Sequence, residues 1–136
     1  MRWLLLVLAL AVCASLPATA DAKPFADSFV HRLVAAGTWD AVEGDVSPEL
    51  TPQLRSFQAH IQRDGIKRVS KAGVLRRDCP SAPAVDAGKD CFVYVISGSQ
   101  VVPIGGVQKL NARLRLWVEP SAGSWQVINY DYELNR

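Results

Sequence analysis

The 136-residue chain carries 15 lysines and arginines against 13 acids, for a formal charge of +2, and 49% of it is hydrophobic. That near balance gives no global electrostatic reason to expect nucleic acid or a membrane surface as partner, and the apolar content is too high for a disordered chain. The length suits a single domain with one core.

The first element is a leader. Met1-Arg2 is followed by an uncharged apolar run from Trp3 to Ala14, then by Pro17 and the small-x-small triplet Ala18-Thr19-Ala20. A basic start, a short apolar stretch and an A-x-A site make a secretory signal peptide cleaved after Ala20. The run is shorter than the roughly 20 residues a spanning helix needs. Cys13 raises the alternative of a lipoprotein signal, but Val12 precedes it where a small residue is wanted, and a better cleavage site follows. The reading is therefore a leader over residues 1–20 and one domain over 21–136, periplasmic or secreted, with no membrane insertion after cleavage.

From Pro24 to Ala36 the apolar residues Phe25, Ala26, Phe29, Leu33 and Val34 recur at helical intervals, and Gly37 stops the helix. Thr38 to Val42 forms a short further turn. Thr51-Pro52 reads as a hydroxyl cap with proline in the first turn, and Leu54, Phe57 and Ile61 line one helical face as far as Asp64-Gly65.

Beyond Gly65 the period becomes alternating. Residues 66–77 read as a strand, irregular at Ala72-Gly73, and residues 79–91 have loop composition. Residues 91–97 form a strand rich in β-branched and aromatic side chains. Gly98-Ser99 reads as a turn or bulge, and Gly105-Gly106 as a strand bend. Leu110, Ala112, Leu114, Leu116 and Val118 alternate with polar neighbours, and a turn at 120–123 returns the chain as residues 125–134. Setting Trp117 opposite Val127 places Arg115 opposite Asn129, Arg113 opposite Asp131 and Leu114 opposite Tyr130. One face is then apolar and the other carries complementary charge.

Cys79 and Cys91 are separated by 11 residues. In an oxidising compartment such an isolated pair reads as a disulfide at the mouth of a long hairpin, contributing roughly 3 kcal/mol in the chain-entropy model. No C-x-x-C or nearby histidine suggests a metal, and no cofactor motif is present.

Helices first and antiparallel strands after give an α+β domain, with the N-terminal helices packed on a curved antiparallel sheet of about four strands. The segments Ala26-Asp27-Ser28-Phe29, Gly37-Thr38-Trp39-Asp40-Ala41 and Ser47-Pro48-Glu49-Leu50, with the closing Gly123-Ser124-Trp125-Gln126-Val127-Ile128-Asn129-Tyr130, resemble the cystatin-like α+β superfamily typified by nuclear transport factor two and the ketosteroid isomerases. The resemblance implies a cone-shaped fold, a curved sheet wrapped around the helices, whose members hold a ligand, catalyse or bind another protein. The interior candidates are Tyr94, Tyr130 and Tyr132, and no carboxylate is placed inward beside them, unlike the superfamily's enzymes.

His31 and His60 read as exposed helical residues without a catalytic setting. Asp21, Asp27, Asp40, Glu43, Asp45 and Glu49 outweigh Lys23 and Arg32 in the first part of the domain. Arg55, Arg63, Lys67, Arg68, Lys71, Arg76 and Arg77 then face Asp64 alone. This basic stretch is a solvated face and charged edge strand, or a docking surface for an acidic partner. On the second sheet face, Arg113, Arg115 and Trp117 suggest an interaction surface with Trp117 and Val127 as an apolar centre, suited to a homodimer unless a loop covers it. The functional expectation is a non-catalytic exported domain that binds a protein or a small apolar ligand, with an immunity or inhibitor role within that class. The alternatives are an enzyme using tyrosine hydrogen-bond donors, or an accessory component of an envelope or secretion assembly.

Overall fold

The computed structural model describes residues 22–76 and 91–135, without the side chains of 72–76 and Asn135. Residues 1–20, expected to form a leader, and Cys79 of the expected disulfide lie outside the described residues, as do Arg77 and the Arg76 side chain. Helix α1 spans Ala22–His31 and widens into a π-type turn over Arg32–Ala36, which Gly37 ends at φ 77°. Two 3₁₀ turns follow at Trp39–Ala41 and Glu43–Asp45, and α2 runs from Thr51 to Arg63. The strands are β1 Ile66–Arg76, β2 Cys91–Val102, β3 Gly106–Ser121 and β4 Ser124–Asn135, each antiparallel to its neighbour in the order β1-β2-β3-β4.

The expected architecture of helices on a four-stranded antiparallel sheet is therefore the one observed. Phe29 and Val30 of α1, Leu33 of the π-type turn, and Leu54, Phe57 and Ile61 of α2 meet Tyr94, Ile96, Ala112, Leu114 and Leu116 in one buried cluster. Two glutamines of α2 join the helices. Gln58, itself buried, donates from Nε2 to the carbonyls of Leu33 (3.0 Å) and Thr38 (3.3 Å), and Gln62 donates to that of Gly37 at 2.7 Å. These bonds take up carbonyls that the end of a helix leaves without intrahelical partners. Arg32 ties down the 3₁₀ segment, donating to the Ala41 carbonyl and pairing with Asp45 Oδ2 at 2.8 Å.

Several local expectations change. Thr51 does not cap α2, because Leu50 occupies the cap position and the Thr51 hydroxyl donates backwards to the Ser47 carbonyl at 3.0 Å. The strand beginning at Cys91 continues to Val102, so Gly98-Ser99 is neither turn nor break. Gly98 instead permits a close crossing: a Cβ there would lie 1.9 Å from the Gly65 carbonyl oxygen. Gly105-Gly106 lies at the β2–β3 hairpin turn, where both residues take positive φ.

The β3–β4 register differs by two residues from the expected one. Arg115 pairs with Asp131, Arg113 with Glu133 and Leu114 with Tyr132, while Val127 sits opposite Val118 rather than Trp117. The turn is Ala122-Gly123 alone, at φ 48° and 80°, and a register shift between Trp117 and Val118 accommodates Ile128 as an extra residue. Positive φ at both central positions gives the twist that suits a two-residue hairpin.

Candidate interaction surface

The helix α2 and the edge strand β4 together line an open concavity. In α2, Gln53, Ser56, Phe57 and His60 recur at three- and four-residue spacing along one flank. In β4, Tyr130 and Tyr132 are two apart and so point to the same side of the sheet. Phe57 sits against both rings, with centroids 4.9 Å from Tyr130 and 5.0 Å from Tyr132. His60 meets Tyr132 edge-on at 6.2 Å, and its Nε2 lies 3.3 Å from Asp64 Oδ2. With Pro52 these residues line an open, mostly apolar groove of about 650 Å³.

Burial raises the phenol pKa of Tyr130, and burial followed by the Asp64 charge raises that of Tyr132. The Tyr132 hydroxyl oxygen is buried and has no hydrogen-bond partner among the described residues. A second hollow of about 590 Å³ continues past His60 and Asp64 to Leu134, Gln100, Gln108 and Lys109. At the other end, Ser47 N donates to the Val127 carbonyl at 2.9 Å and Val46 makes a parallel bridge to Val127, so the segment before α2 covers the start of the β4 edge.

Tyr94 does not belong to this site. It is fully buried in the core, and its hydroxyl donates to Asp27 Oδ1 at 2.7 Å. Lys23 Nζ holds the other oxygen of Asp27 at 2.6 Å, within one turn of α1. Desolvation, then the Asp27 hydrogen bond and charge, push the Tyr94 phenol far above its ordinary value of 10.0. A carboxylate therefore does meet an interior tyrosine, against the sequence expectation. The phenol, held neutral, and the paired carboxylate tie α1 to β2 at the edge of the packed core.

The second sheet face is also revised. Trp117 is fully buried in a small cluster with Cys91, Val93 and Ile128, and Val127 is buried in the main core. The exposed apolar pair proposed for that face does not exist, and a homodimer there would lack an apolar centre. Arg115 is engaged by Asp131 at 2.7 Å and lies 3.8 Å from Glu133, while Arg113 stays exposed. Lys67, Arg68 and Lys71 are exposed along β1, and His31 and His60 are exposed on their helices. Among the described residues no three metal-ligating side chains cluster, and no helix is long and apolar enough to cross a membrane. Sequence reasoning missed Asp27, Arg32 and Gln58 as structural partners. Only the Lys23–Asp27 pair left a readable trace, its i,i+4 spacing.

No protein-family model matches the chain, and no curated protein matches it in sequence. Among solved structures it is similar to CagV, described as a VirB8 homolog of T4SS from Helicobacter pylori, with a TM-score of 0.57 at 8% identity. The match covers 86% of this chain and 99% of that one. The likeness is one of fold, helices packed on a four-stranded antiparallel sheet.

Proposed function

We propose that this protein is a non-catalytic accessory component of an envelope or secretion assembly, exported by its leader and docked onto another protein through the α2–β4 groove. The observation that carries the reading is the near-complete structural match to a VirB8 homolog of T4SS. The groove supports it: the half-buried Tyr130 and Tyr132, backed by the buried Phe57, present aromatic surface beside the polar Gln53, Ser56 and His60. Rigid aromatics with a polar rim are the composition from which binding hot spots are built. An open groove also suits a macromolecular partner better than a small ligand, which is bound in a concavity that buries most of its surface. The immunity or inhibitor role has no support in this likeness and is set aside.

The test is site-specific photo-crosslinking in the producing cell, with the reactive group at Ser56 or Gln53 in the groove and at Arg113 as an outside control. The expected product is a crosslink from the groove positions, and not from Arg113, to a subunit of an envelope assembly. Absence of any groove crosslink, together with unimpaired secretion in a strain lacking the protein, would overturn the reading.

A further inference from the structure

The β2–β3 hairpin carries a second surface that the groove does not use. Three large apolar side chains are exposed at its tip: Val101 at 81%, Ile104 at 93% and Val107 at 65%. Val101 and Val107 are cross-strand partners and so share one face, while Ile104 lies in the turn at the apex. The whole stretch from Ser97 to Gln108 contains no charged residue. It also projects beyond the rest of the sheet. β1 reaches only as far as Gly98 and β4 only as far as Asn111, so among the described residues no strand flanks the four pairs from Ser99–Lys109 to Val102–Gly106. At about 3.3 Å per residue this is a projection of roughly 13 Å.

Such a tip is unusual on two counts. Exposed edges normally carry lysine, proline or an inward charge against aggregation, and here Lys109 in the first projecting pair and Pro103 at the turn are the only such residues. Exposed apolar residues are normally scattered, whereas these three are gathered at one point. Around the base of the tip stand exposed bases. Lys109 lies on β3, Lys67 and Arg68 lie on β1 where Arg68 pairs with Ser97, and Arg63 ends α2 just before them. The acid among these neighbours, Asp64, faces His60.

We propose that this hairpin tip is a membrane-contact device that dips into an anionic phospholipid surface, with Lys109, Lys67, Arg68 and Arg63 as its basic collar. An uncharged apolar point ringed by cations matches the layering of such a surface, apolar beneath and negative at the headgroups. A docked protein covers one side of a hairpin. Here the apolar groups occupy both the apex and a face, which suits a medium that surrounds the tip. Depth is limited by the backbone: the edge groups of residues 99–110 need water or headgroups to bond to, so the tip stops at the boundary between headgroups and acyl chains. This is contact without spanning, and the argument for it does not rest on the protein-docking role of the groove.

The experiment is co-sedimentation of the full chain with vesicles of phosphatidylcholine alone and of phosphatidylcholine mixed with phosphatidylglycerol, across a salt series. The wild-type protein should pellet with the anionic vesicles, less so as salt rises, and leave the neutral ones. Ile104→Asp should weaken that binding tenfold or more. Lys67→Glu with Lys109→Glu should weaken it by at least about fivefold per base, the weight of one cation at an anionic surface. All the altered side chains are exposed, so the circular dichroism melt should not move. Ile104→Trp, read against the wild-type spectrum, should add emission that shifts to the blue with anionic vesicles. Binding that survives Ile104→Asp is carried by another segment, such as the apolar run at 3–14, and overturns the proposal. So does an unshifted Ile104→Trp emission, or a tip whose alteration abolishes binding to a protein while leaving vesicle binding intact.

Discussion

Replacing Tyr94 by phenylalanine removes one oxygen from the core and tests the Tyr94–Asp27 bond by its dependence on pH. At pH 7 the variant loses a hydrogen bond to a carboxylate, an interaction that contributes roughly 1.5–3 kcal/mol. Asp27 keeps its Lys23 partner and part of its solvent contact, which sets the loss near the low end, about 1.5 kcal/mol. At high pH a second effect opposes the first. The folded-state pKa of Tyr94 is raised above its unfolded value of 10.0 by burial and by Asp27. Its contribution is therefore complete below pH 10 and declines as the pH climbs toward the folded value, because the unfolded phenol ionises and the folded one does not. By pH 11 that linkage costs the wild type about 1.4 kcal/mol and costs the phenylalanine variant nothing. Urea unfolding followed by tryptophan fluorescence should thus show a gap of about 1.5 kcal/mol at pH 7 closing to nearly zero at pH 11. A gap that stays constant across this range would mean that Tyr94 ionises as freely in the folded protein as in the unfolded chain, and the buried bond would be refuted.

Two further substitutions probe the packing. Tyr132→Phe removes a buried hydroxyl that has no partner among the described residues, so it should leave stability unchanged or raise it by about 1 kcal/mol in urea titration; a loss of that size would reveal a partner for the hydroxyl. Gly98→Ala places a methyl 1.9 Å from the Gly65 carbonyl oxygen, a contact that only backbone movement relieves, and should destabilise by about 3 kcal/mol, the upper part of the range for overpacking. A Gly98→Ala protein as stable as the wild type would show that β1 and β2 do not cross this closely.

The change from helical to alternating period at Gly65 was enough to order the elements, because each side-chain period is set by local backbone geometry. The β3–β4 register could not be settled the same way. The true turn is tighter than a four-residue reading of Pro120 to Gly123 by one position, and Ile128 adds one more. Two single-residue displacements restore the alternation beyond the bulge, so Leu114, Leu116, Tyr130 and Tyr132 face inward under either pairing. Between bulge and turn the parity differs, which is why Val127 belongs to the core and Trp117 has no exposed apolar mate. A similar limit hid the Asp27–Tyr94 bond. Asp27 follows the fully buried Ala26 on α1, at the margin of the apolar stripe, and what it meets there is decided by tertiary packing. The tyrosines of β4 were readable as inward, but their separation from Tyr94 depends on α2 lying across the edge strand.

The position of α2 also decides how the two proposed surfaces relate. Val46 bridges to Val127 and fixes the start of the chain segment that leads into α2, so the helix crosses β4 with its Pro52 end near that bridge and its His60 end toward the β2–β3 hairpin. His60 and Asp64 then border both the aromatic groove and the hollow that reaches Gln100, Gln108 and Lys109. Lys109 stands in the collar of the hairpin tip, so a membrane seated at that tip would bring the headgroup layer to the near end of the groove. A partner lying in the groove and a lipid surface at the tip would meet around His60 and should bind with mutual effect, favourable if the partner's near end is basic and unfavourable if it is acidic. Vesicle binding measured with and without the crosslinked partner reads that coupling directly. Equal affinity in both states would show that the groove and the tip act separately.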